Sequence, residues 1–361
     1  MQKAKAAILY DFLQVKGGAE AVTLDLCRHF SHLDLVTAFV NRKVFTESPL
    51  SAERLHTLTS QTELQGWQTL KSCLAFQHRT GFLKEYDTLI FSGSNAPLAV
   101  VNSQARQNIY YCHTPPRFVY DLKAHYLNSI PAWQRPMLKS LIHYLQPRYE
   151  VALGRMDKIF ANSKNVQQRL KHHLGVESEV LYPLCRIDRF RWIGQGDYFL
   201  STARLEEYKR VELIVRAFMQ MPDKKLIVTS GGSQLNKLKA LAQNAANIQF
   251  TGWVSEAQLA GLVGNCLATI YIPMDEDFGM SPVESMGAEK PVIGVNEGGV
   301  KETVIDGETG WLLPANPTNT QLIDCISSVQ YYRLGQMREH CQKQAASFSS
   351  GRFFSAFDRY L

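Results

Sequence analysis

Apolar and polar positions alternate along the chain in a repeating strand, loop and helix pattern. Short apolar runs end in polar or glycine-rich loops, and segments with helical periodicity follow them. The runs of the first half are AAILYDF (6–12), 33–40, YDTLIFSG (86–93), NIYYCH (108–113) and DKIFANS (157–163). Gly175 after KNVQQRLKHHL indicates a helix end. This alternation predicts parallel sheets covered by helices.

The pattern breaks near residues 181–193, where a proline, mixed charges and glycines are typical of a linker. It restarts with the predicted strands DYFLSTARL, KLIVTSGG, NIQFTG, ATIYIP and PVIGV. We therefore expect two doubly wound α/β domains, residues 1–186 and 187–345, which face each other across a cleft and bind ligands at their strand ends. The amphipathic segment 346–361 is expected to pack back on the first domain. The alternative is a solvent-side helix of the second.

Composition fits a folded chain of two domains. The protein has 361 residues, of which 45% are hydrophobic and 20% charged, and no apolar run is long enough to span a membrane. The N-terminal MQKAKAAILYDFL is interpreted as a first strand rather than a signal peptide. The seven cysteines are scattered and form no CxxC pair, which favours reduced thiols in a cytoplasm over disulfides or a zinc site.

The positive charge is concentrated in the first half. Residues 1–190 contain 23 Lys and Arg against 15 Asp and Glu, which gives them a net charge of +8. The remaining residues have a net charge of −2, so the whole chain carries +6. A basic half suggests an acidic partner, such as an anionic membrane, a phosphate-bearing substrate or nucleic acid. A solvated surface without a partner is the alternative.

The stretch EDFGMSPVE (276–284) carries candidate chemistry. Ser281 followed by Pro282 predicts a helix start, and Glu284 then fits a capping box, which is its structural explanation. That explanation leaves Glu276 and Gly279 unaccounted for. A helix N-terminus suits a diphosphate and carboxylates suit hydroxyls, so the combination fits a nucleotide-sugar.

The arrangement of Glu276 and Glu284 around DFGMSPV resembles the donor-site motif of family 4 retaining glycosyltransferases, which have the GT-B fold. The segment 291–313 is similar to the continuation of that motif. The resemblance extends over nearly the whole chain through GGAE (17–20), HTPPR (113–117), FANS (160–163) and RLEEYK (204–209). It is strongest to bacterial members that transfer mannose or related sugars in cell-surface polysaccharide synthesis. One departure is Glu289, where the family often has glycine.

The resemblance implies a catalytic set. Arg204 and Lys209 would neutralise the diphosphate leaving group, although a surface pair is the alternative. Glu276 would orient the sugar, and substitution by alanine is expected to abolish transfer but leave folding intact. His113 would hydrogen-bond the donor sugar, although a lone histidine is more often structural.

The resemblance also implies binding residues. The donor-binding set adds Gly17, Gly18, Phe278, Gly279, Met280 and Glu284, while Gly298 and Gly299 would adjoin the diphosphate. For Gly17 and Gly18 a plain strand-to-helix turn is the alternative. Gly231, Gly232, Trp253 and Val254 would surround the nucleobase. Arg117 would lie in the acceptor region.

The expected enzyme needs no cofactor and no divalent metal, because DED (275–277) is not interpreted as an Asp-x-Asp metal motif. Its expected partners are a nucleotide-sugar, first of all GDP-mannose, a glycan or lipid-linked acceptor, and an anionic membrane surface, but not nucleic acid. It would be cytoplasmic and peripheral on the inner face of the cell membrane. A GT-B nucleotide-sugar epimerase, a glycan phosphorylase and a non-catalytic nucleotide- or glycan-binding subunit are the alternatives.

Overall fold

The computed structural model describes residues 5–15, 17–62, 65–329 and 331–361, and the chain divides into two compact units. The first unit comprises Met1–Pro183 and Phe353–Leu361, and the second comprises Leu184–Arg352. The sequence placed the first boundary after residue 186 and the second after residue 345, so the observed boundaries differ by a few residues in each case.

The first unit contains a parallel seven-stranded sheet in the order β3-β2-β1-β4-β5-β6-β7 among its described residues. Its strands are β1 (Ala6–Tyr10), β2 (Leu33–Thr37), β3 (Leu55–Thr57), β4 (Thr88–Ser92), β5 (Gln107–Cys112), β6 (Lys158–Ala161) and β7 (Glu179–Val180). Its helices are α1 (Gly18–His29), α2 (Gln65–His78), α3 (Lys123–Ser129), α4 (Arg135–Leu153) and α5 (Lys164–Leu174). The central strands β1 and β4 are buried along their whole length, which explains their continuous apolar runs.

Local signals fix the ends of α5 as the sequence predicted. The Ser163 side chain accepts a hydrogen bond from the Val166 N–H at the start of the helix, and Gly175 closes it with a φ of 64°. Strands β3 and β7 were not predicted, because they are only three and two residues long and show no clear apolar pattern.

The second unit repeats the topology with six described strands in the order β10-β9-β8-β11-β12-β13. These strands are β8 (Tyr198–Ser201), β9 (Lys225–Thr229), β10 (Ile248–Gly252), β11 (Thr269–Ile270), β12 (Val292–Val295) and β13 (Gly310–Leu313). The helices are α6 (Val211–Met219), α7 (Leu235–Leu241), α8 (Glu256–Asn265), α9 (Met280–Gly287), α10 (Val300–Thr303), α11 (Asn319–Ser328) and α12 (Tyr331–Ala346).

The strand order reverses between β1 and β4 in the first unit and between β8 and β11 in the second. In open parallel sheets, ligands bind outside the carboxyl ends of the strands at such a switch point. The loops that follow β8 and β11 are those that carry Lys209 and Glu276. The topology therefore brings together two residues that the sequence proposed separately.

The chain ends in α13 (Ser350–Asp358), and residues from Phe353 onward belong to the first unit. Phe353 and Phe357 are buried, and the Phe353 ring lies 5.3 Å from that of Tyr111. Thr88 Oγ1 donates to the Tyr360 carbonyl at 3.0 Å. The prediction that the C-terminal helix returns to the first domain is confirmed.

All seven cysteines are free, and six of them are buried while Cys325 is half-buried. None of the described helices combines the length and the apolar character that crossing a bilayer would require.

Candidate functional site

The candidate site of the second unit centres on Lys209 and Glu276. Lys209 ends the short 3₁₀ turn Glu207–Lys209 after β8. Its Nζ forms an ion pair with Glu276 Oε2 and donates to the Tyr271 hydroxyl at 3.2 Å. The two paired side chains are only 9% and 16% exposed. The structure therefore holds a nearly buried ion pair at the switch point of the sheet.

The surroundings of Lys209 keep its ammonium charged. Burial alone would lower the pKa of Lys209, but Tyr271 and the Glu276 carboxylate outweigh it and raise that pKa above its ordinary value. Burial also raises the pKa of the Tyr271 hydroxyl, which stays neutral and serves as a hydrogen-bonding group. An ammonium has three N–H donors, and the contacts with Tyr271 and Glu276 account for two of them.

Glu297 holds the loop that carries Glu276. Its Oε1 lies 3.0 Å from Arg210 and accepts from the Asp275 N–H at 2.8 Å. Asp275 and Arg210 both have left-handed backbone conformations, with φ of 42° and 53°. The Met274 N–H donates to the Tyr208 carbonyl at 2.7 Å. These bonds tie the loops after β8 and β11 to each other.

Gly298 and Gly299 pack against the backbone of the Glu276 loop. The Gly299 N–H donates to the Glu276 carbonyl at 2.7 Å. A Cβ on Gly298 would lie 2.5 Å from both the N and the O atoms of Glu276, and its φ is 57°. These glycines therefore allow the backbone of the Glu276 loop to approach closely. The sequence analysis had explained them only by a diphosphate bound nearby.

Helix α9 begins at Met280, with Gly279 as its N-cap at a φ of 89° and without a side-chain cap. Ser281 and Pro282 lie inside the first turn, so the predicted N-cap and the capping box for Glu284 are wrong. The chain turns into the helix at Gly279, because glycine adopts this left-handed backbone conformation without the strain that serine would have. A helix N-terminus without a side-chain cap suits an anion, and diphosphate binding by the backbone of Phe278–Met280 stays a prediction.

Glu284 is half-buried four residues into α9. Burial raises its pKa to about 7, against the opposing influence of Arg186 and Arg189. A role of Glu284 in binding hydroxyl groups of the donor stays a prediction.

Arg204 differs from Lys209 in being exposed. Its guanidinium donates to the Tyr208 hydroxyl at 3.2 Å, and Lys209 Nζ lies 5.3 Å from the centre of that tyrosine ring. Tyr208 and Tyr271 therefore complete the site, and the sequence analysis missed both. An aromatic residue directly before Lys209 and one at the end of β11 were the available signals.

The four predicted nucleobase residues lie on the loops after β9 and β10. A Cβ on Gly231 would lie 2.5 Å from Trp253 Nε1, and a Cβ on Gly232 would lie 2.5 Å from the Leu205 carbonyl oxygen. Trp253 is exposed and Val254 beside it is half-buried. The structure thus brings these loops next to the strand-end loop of Arg204, while nucleobase binding stays a prediction.

In the first unit, His113 follows β5, and its Nε2 lies 3.0 Å from Ser92 Oγ. The Tyr111 ring packs edge-on at 5.0 Å. Burial lowers the pKa of His113 to about 4, so the imidazole is neutral at neutral pH. A neutral, anchored imidazole suits the hydrogen-bonding role that the resemblance implies.

Asp11, which directly follows β1, was missed by the sequence analysis. Its carboxylate accepts from the N–H groups of Ser94, Asn95 and Ala96 at 2.7, 2.7 and 2.8 Å. Burial raises its pKa to about 6 despite these bonds. Gly93, at a φ of 111°, leaves room for it. The signal was available, because a lone acid interrupts the first apolar run.

Gly17 is the N-cap of α1, which begins at Gly18, and it supplies no side-chain cap. A Cβ on Gly17 would lie 2.6 Å from Glu20 Oε2. Gly17 therefore has a local packing reason, and a ligand role for Gly17 and Gly18 stays a prediction.

Arg117 pairs with Asp121 through both its Nε and a terminal nitrogen, each at 2.8 Å. Arg169 approaches the same carboxylate at 3.7 Å and donates to Thr114 Oγ1 at 2.9 Å. Two guanidinium groups thus share one carboxylate beside the His113 loop, and acceptor binding by Arg117 stays a prediction.

Comparison with known proteins agrees with this geometry. Residues 188–348 match the family model described as glycosyl transferases group 1. The chain is 26% identical to the alpha-1,3/1,6-mannosyltransferase ALG2 of Dictyostelium discoideum over 295 residues, which are 68% of this chain and 67% of that protein. It is 26% identical to the mouse protein of the same name over 273 residues, covering 65% of this chain and 63% of its relative.

Among solved structures, Anabaena Alr3699/HepE in complex with UDP and glucose has a TM-score of 0.76 at 16% identity and covers 99% of both chains. Sucrose-phosphate synthase from Thermosynechococcus elongatus has a TM-score of 0.75 at 15% identity and covers 98% of both chains. The prediction of a GT-B fold built from two doubly wound units is confirmed. The resemblance to glycosyltransferases is likewise confirmed, through the match of the second unit.

Proposed function

We propose that this protein, whose residues 188–348 form a glycosyltransferase group 1 domain, transfers a hexose with retention from a nucleotide-diphosphate sugar to a hydroxyl group. The acceptor is a glycan or a lipid-linked glycan of cell-surface polysaccharide synthesis. The observation that carries the proposal is the nearly buried Lys209–Glu276 pair at the switch point of that domain.

In the proposed reaction, the third N–H donor of Lys209 and the exposed guanidinium of Arg204 bind the diphosphate. The N–H groups of Phe278–Met280 at the start of α9 add their dipoles. The leaving diphosphate gains negative charge as the bond to the sugar breaks. Fixed cations aimed at that charge stabilise the transition state more than the ground state.

Glu276 orients the sugar by accepting hydrogen bonds from the sugar hydroxyl groups. Glu284 accepts hydrogen bonds from hydroxyl groups of the nucleoside. The bond from C1 of the sugar to the diphosphate oxygen breaks while the acceptor oxygen attacks on the same face. The acceptor proton passes to the departing diphosphate, so no protein base and no divalent metal is required. His113 contributes a hydrogen bond as a neutral imidazole.

The names of the relatives favour mannose, and therefore GDP-mannose, as the first donor to test. The Anabaena neighbour in complex with UDP and glucose makes UDP-glucose the competing donor. Basic charge in the first half favours a cytoplasmic enzyme that is peripheral on an anionic membrane and meets a lipid-linked acceptor there.

A donor panel tests the proposal. We expect GDP-mannose to raise the melting temperature of the full chain more than UDP-glucose does, because a ligand of the folded state stabilises by mass action. Mannose transfer to a lipid-linked glycan should follow in the presence of EDTA, with the α-anomer of the product identified by NMR. An inverted product would refute retention, and conversion of the donor without acceptor would refute the transferase.

Variants localise the effect. Glu276→Gln should reduce transfer by about 10²-fold, in the range found when one transition-state contact is removed. Asp197→Asn is the matched control, because Asp197 forms an exposed ion pair with Lys225 at 2.5 Å away from the site. Equal losses in both variants would contradict the assignment of Glu276.

A further inference from the structure

One helical segment of the first unit contains no fully buried residue. Residues 120–141 contain α3, the 3₁₀ turn Ala132–Gln134 and the start of α4, and the first buried residue after Val119 is Ile142. We call residues 122–140 the exposed helical segment. Helices as short as α3 are marginal without tertiary packing, so contacts on their exposed side would stabilise them.

Large apolar side chains point into solvent along this segment. Trp133 is 77% exposed, Met137 62% and Tyr126 42%. These three residues belong to consecutive elements of the exposed helical segment, and the buried face of α4 begins only beyond them. Clustered exposed apolar residues of this size mark an interaction surface rather than a solvated one.

The same stretch lacks carboxylates. No Asp or Glu occurs between Asp121 and Glu150, whereas Lys123, Arg135 and Lys139 fall in the segment and Arg148 follows it. Part of the basic excess of the first half thus lies in the same stretch as the exposed apolar side chains.

We propose that the exposed helical segment docks in the interface of an anionic lipid bilayer, with Trp133 and Met137 among the lipid headgroups and the adjoining acyl chains. Tryptophan prefers this depth, and lysine and arginine extend from it to the lipid phosphates. Helices with such a composition lie in the plane of the interface. A second copy of this chain fits worse, because a two-fold contact would oppose the cations of one segment to those of the other.

The inference rests on the proposed function only for the choice of partner, since a lipid-linked acceptor brings the enzyme to a membrane. Its test does not depend on transfer. The full chain is sedimented with vesicles of phosphatidylcholine, with or without phosphatidylglycerol, at low and high salt. We expect binding only to the anionic vesicles and release by salt, because the attraction between exposed charges is screened.

The variant Trp133→Ser combined with Met137→Ser should lower binding to anionic vesicles by about 10-fold or more, given the apolar area withdrawn from the interface. Lys139→Gln should weaken binding about fivefold, from roughly 1 kcal/mol per cation at an anionic surface. Trp67→Ser is the matched control, because Trp67 is 57% exposed on α2, outside the segment. It should bind like the wild type.

Three results would overturn the proposal. They are equal binding to neutral vesicles, equal losses in the Trp133/Met137 and Trp67 variants, or a concentration-dependent dimer in light scattering that only the Trp133/Met137 variant abolishes. Failure of the proposed function is separable from these results. A wild-type chain that binds anionic vesicles but shows no thermal shift with any nucleotide-sugar would retain the docking surface and lose the transferase.

Discussion

Lys209 and Glu276 lie 67 residues apart in the sequence and form an ion pair with little exposure to solvent. Removing one partner of such a pair leaves the other charge buried without compensation, at a typical cost of about 3 kcal/mol or more. The pair therefore gives Glu276 a structural role beside its proposed contact with the sugar. It also argues against the expectation that Glu276→Ala would leave folding intact.

We expect Glu276→Ala to lower the free energy of unfolding by about 3 kcal/mol, and Lys209→Met with Glu276→Ala to recover most of that loss, because no buried charge remains. Transfer should stay at least about 10²-fold below wild type in both variants. Urea unfolding and kcat/KM measure the two effects. Additive losses of stability in the double variant would contradict the coupling.

Close packing at Gly298 predicts a contrast with Gly307. Both glycines have a positive φ, 57° and 77°, but only Gly298 has backbone atoms in the space that a Cβ would take. We expect Gly307→Ala to cost about 1 kcal/mol from backbone strain. Gly298→Ala should cost at least about 2 kcal/mol more and should reduce kcat, because the Glu276 loop has to move. Equal melting temperatures of the two variants would refute the packing role.

The contacts of Glu297 predict a positioning role. Glu297→Gln loses the charged pairing with Arg210 and weakens the bond to the Asp275 N–H. We expect kcat to fall about 10-fold with little change in the donor KM, because small displacements of a positioned group are costly in the transition state. Glu212→Gln is the control, since Glu212 pairs with Arg216 and Lys237 at the surface. A rise in KM alone would argue for direct donor binding by Glu297 instead.

Glu284 predicts a dependence of stability on pH. Its pKa is about 7 in the folded protein against an ordinary value of 4.5, so between these pH values the folded state binds more protons than the unfolded state. The contribution of this group therefore favours folding at low pH and declines as pH rises through the folded pKa. Since the side chain is half-buried, we expect a decline of at most about 2 kcal/mol.

Glu284→Gln should remove this decline, and Glu308→Gln on the exposed loop before β13 should not. The measurement is the difference in unfolding free energy between wild type and variant in urea, at about pH 5 and about pH 8. Taking that difference cancels His113, whose lowered pKa makes the protein more stable as pH rises from about 4 to 6.5. A difference that does not change with pH would contradict the raised pKa.

The sequence predicted the principal strands along the chain and the helix end that depends on a local signal, Gly175. Both are properties of short stretches, and alternation of apolar runs is sufficient to reveal a doubly wound sheet. It also proposed Lys209 and Glu276 through their motifs. That the two side chains contact each other depends on the switch between β8 and β11, which no local pattern encodes.

Local rules failed where tertiary contacts decide. Ser281 and Pro282 satisfy every preference for a helix start, yet α9 begins earlier because Gly279 turns the chain. Glu289 occupies a position where the family often has glycine, and the structure shows why, since its φ is 60°. Its carboxylate pairs with Arg338 at 2.6 Å, a contact that accompanies the strained backbone. The exposure of Tyr126, Trp133 and Met137 could not be predicted either, because the composition of their segment resembles that of packed helices.

The burial of the thiols makes the chain suitable for site-selective labelling. Burial raises the pKa of Cys27, Cys266 and Cys341 to about 12, and that of the half-buried Cys325 to about 12 as well. Thiols of that kind are almost wholly protonated near neutral pH and react slowly with maleimides. A maleimide fluorophore would thus label the Trp133→Cys variant mainly at position 133, without prior removal of any native cysteine.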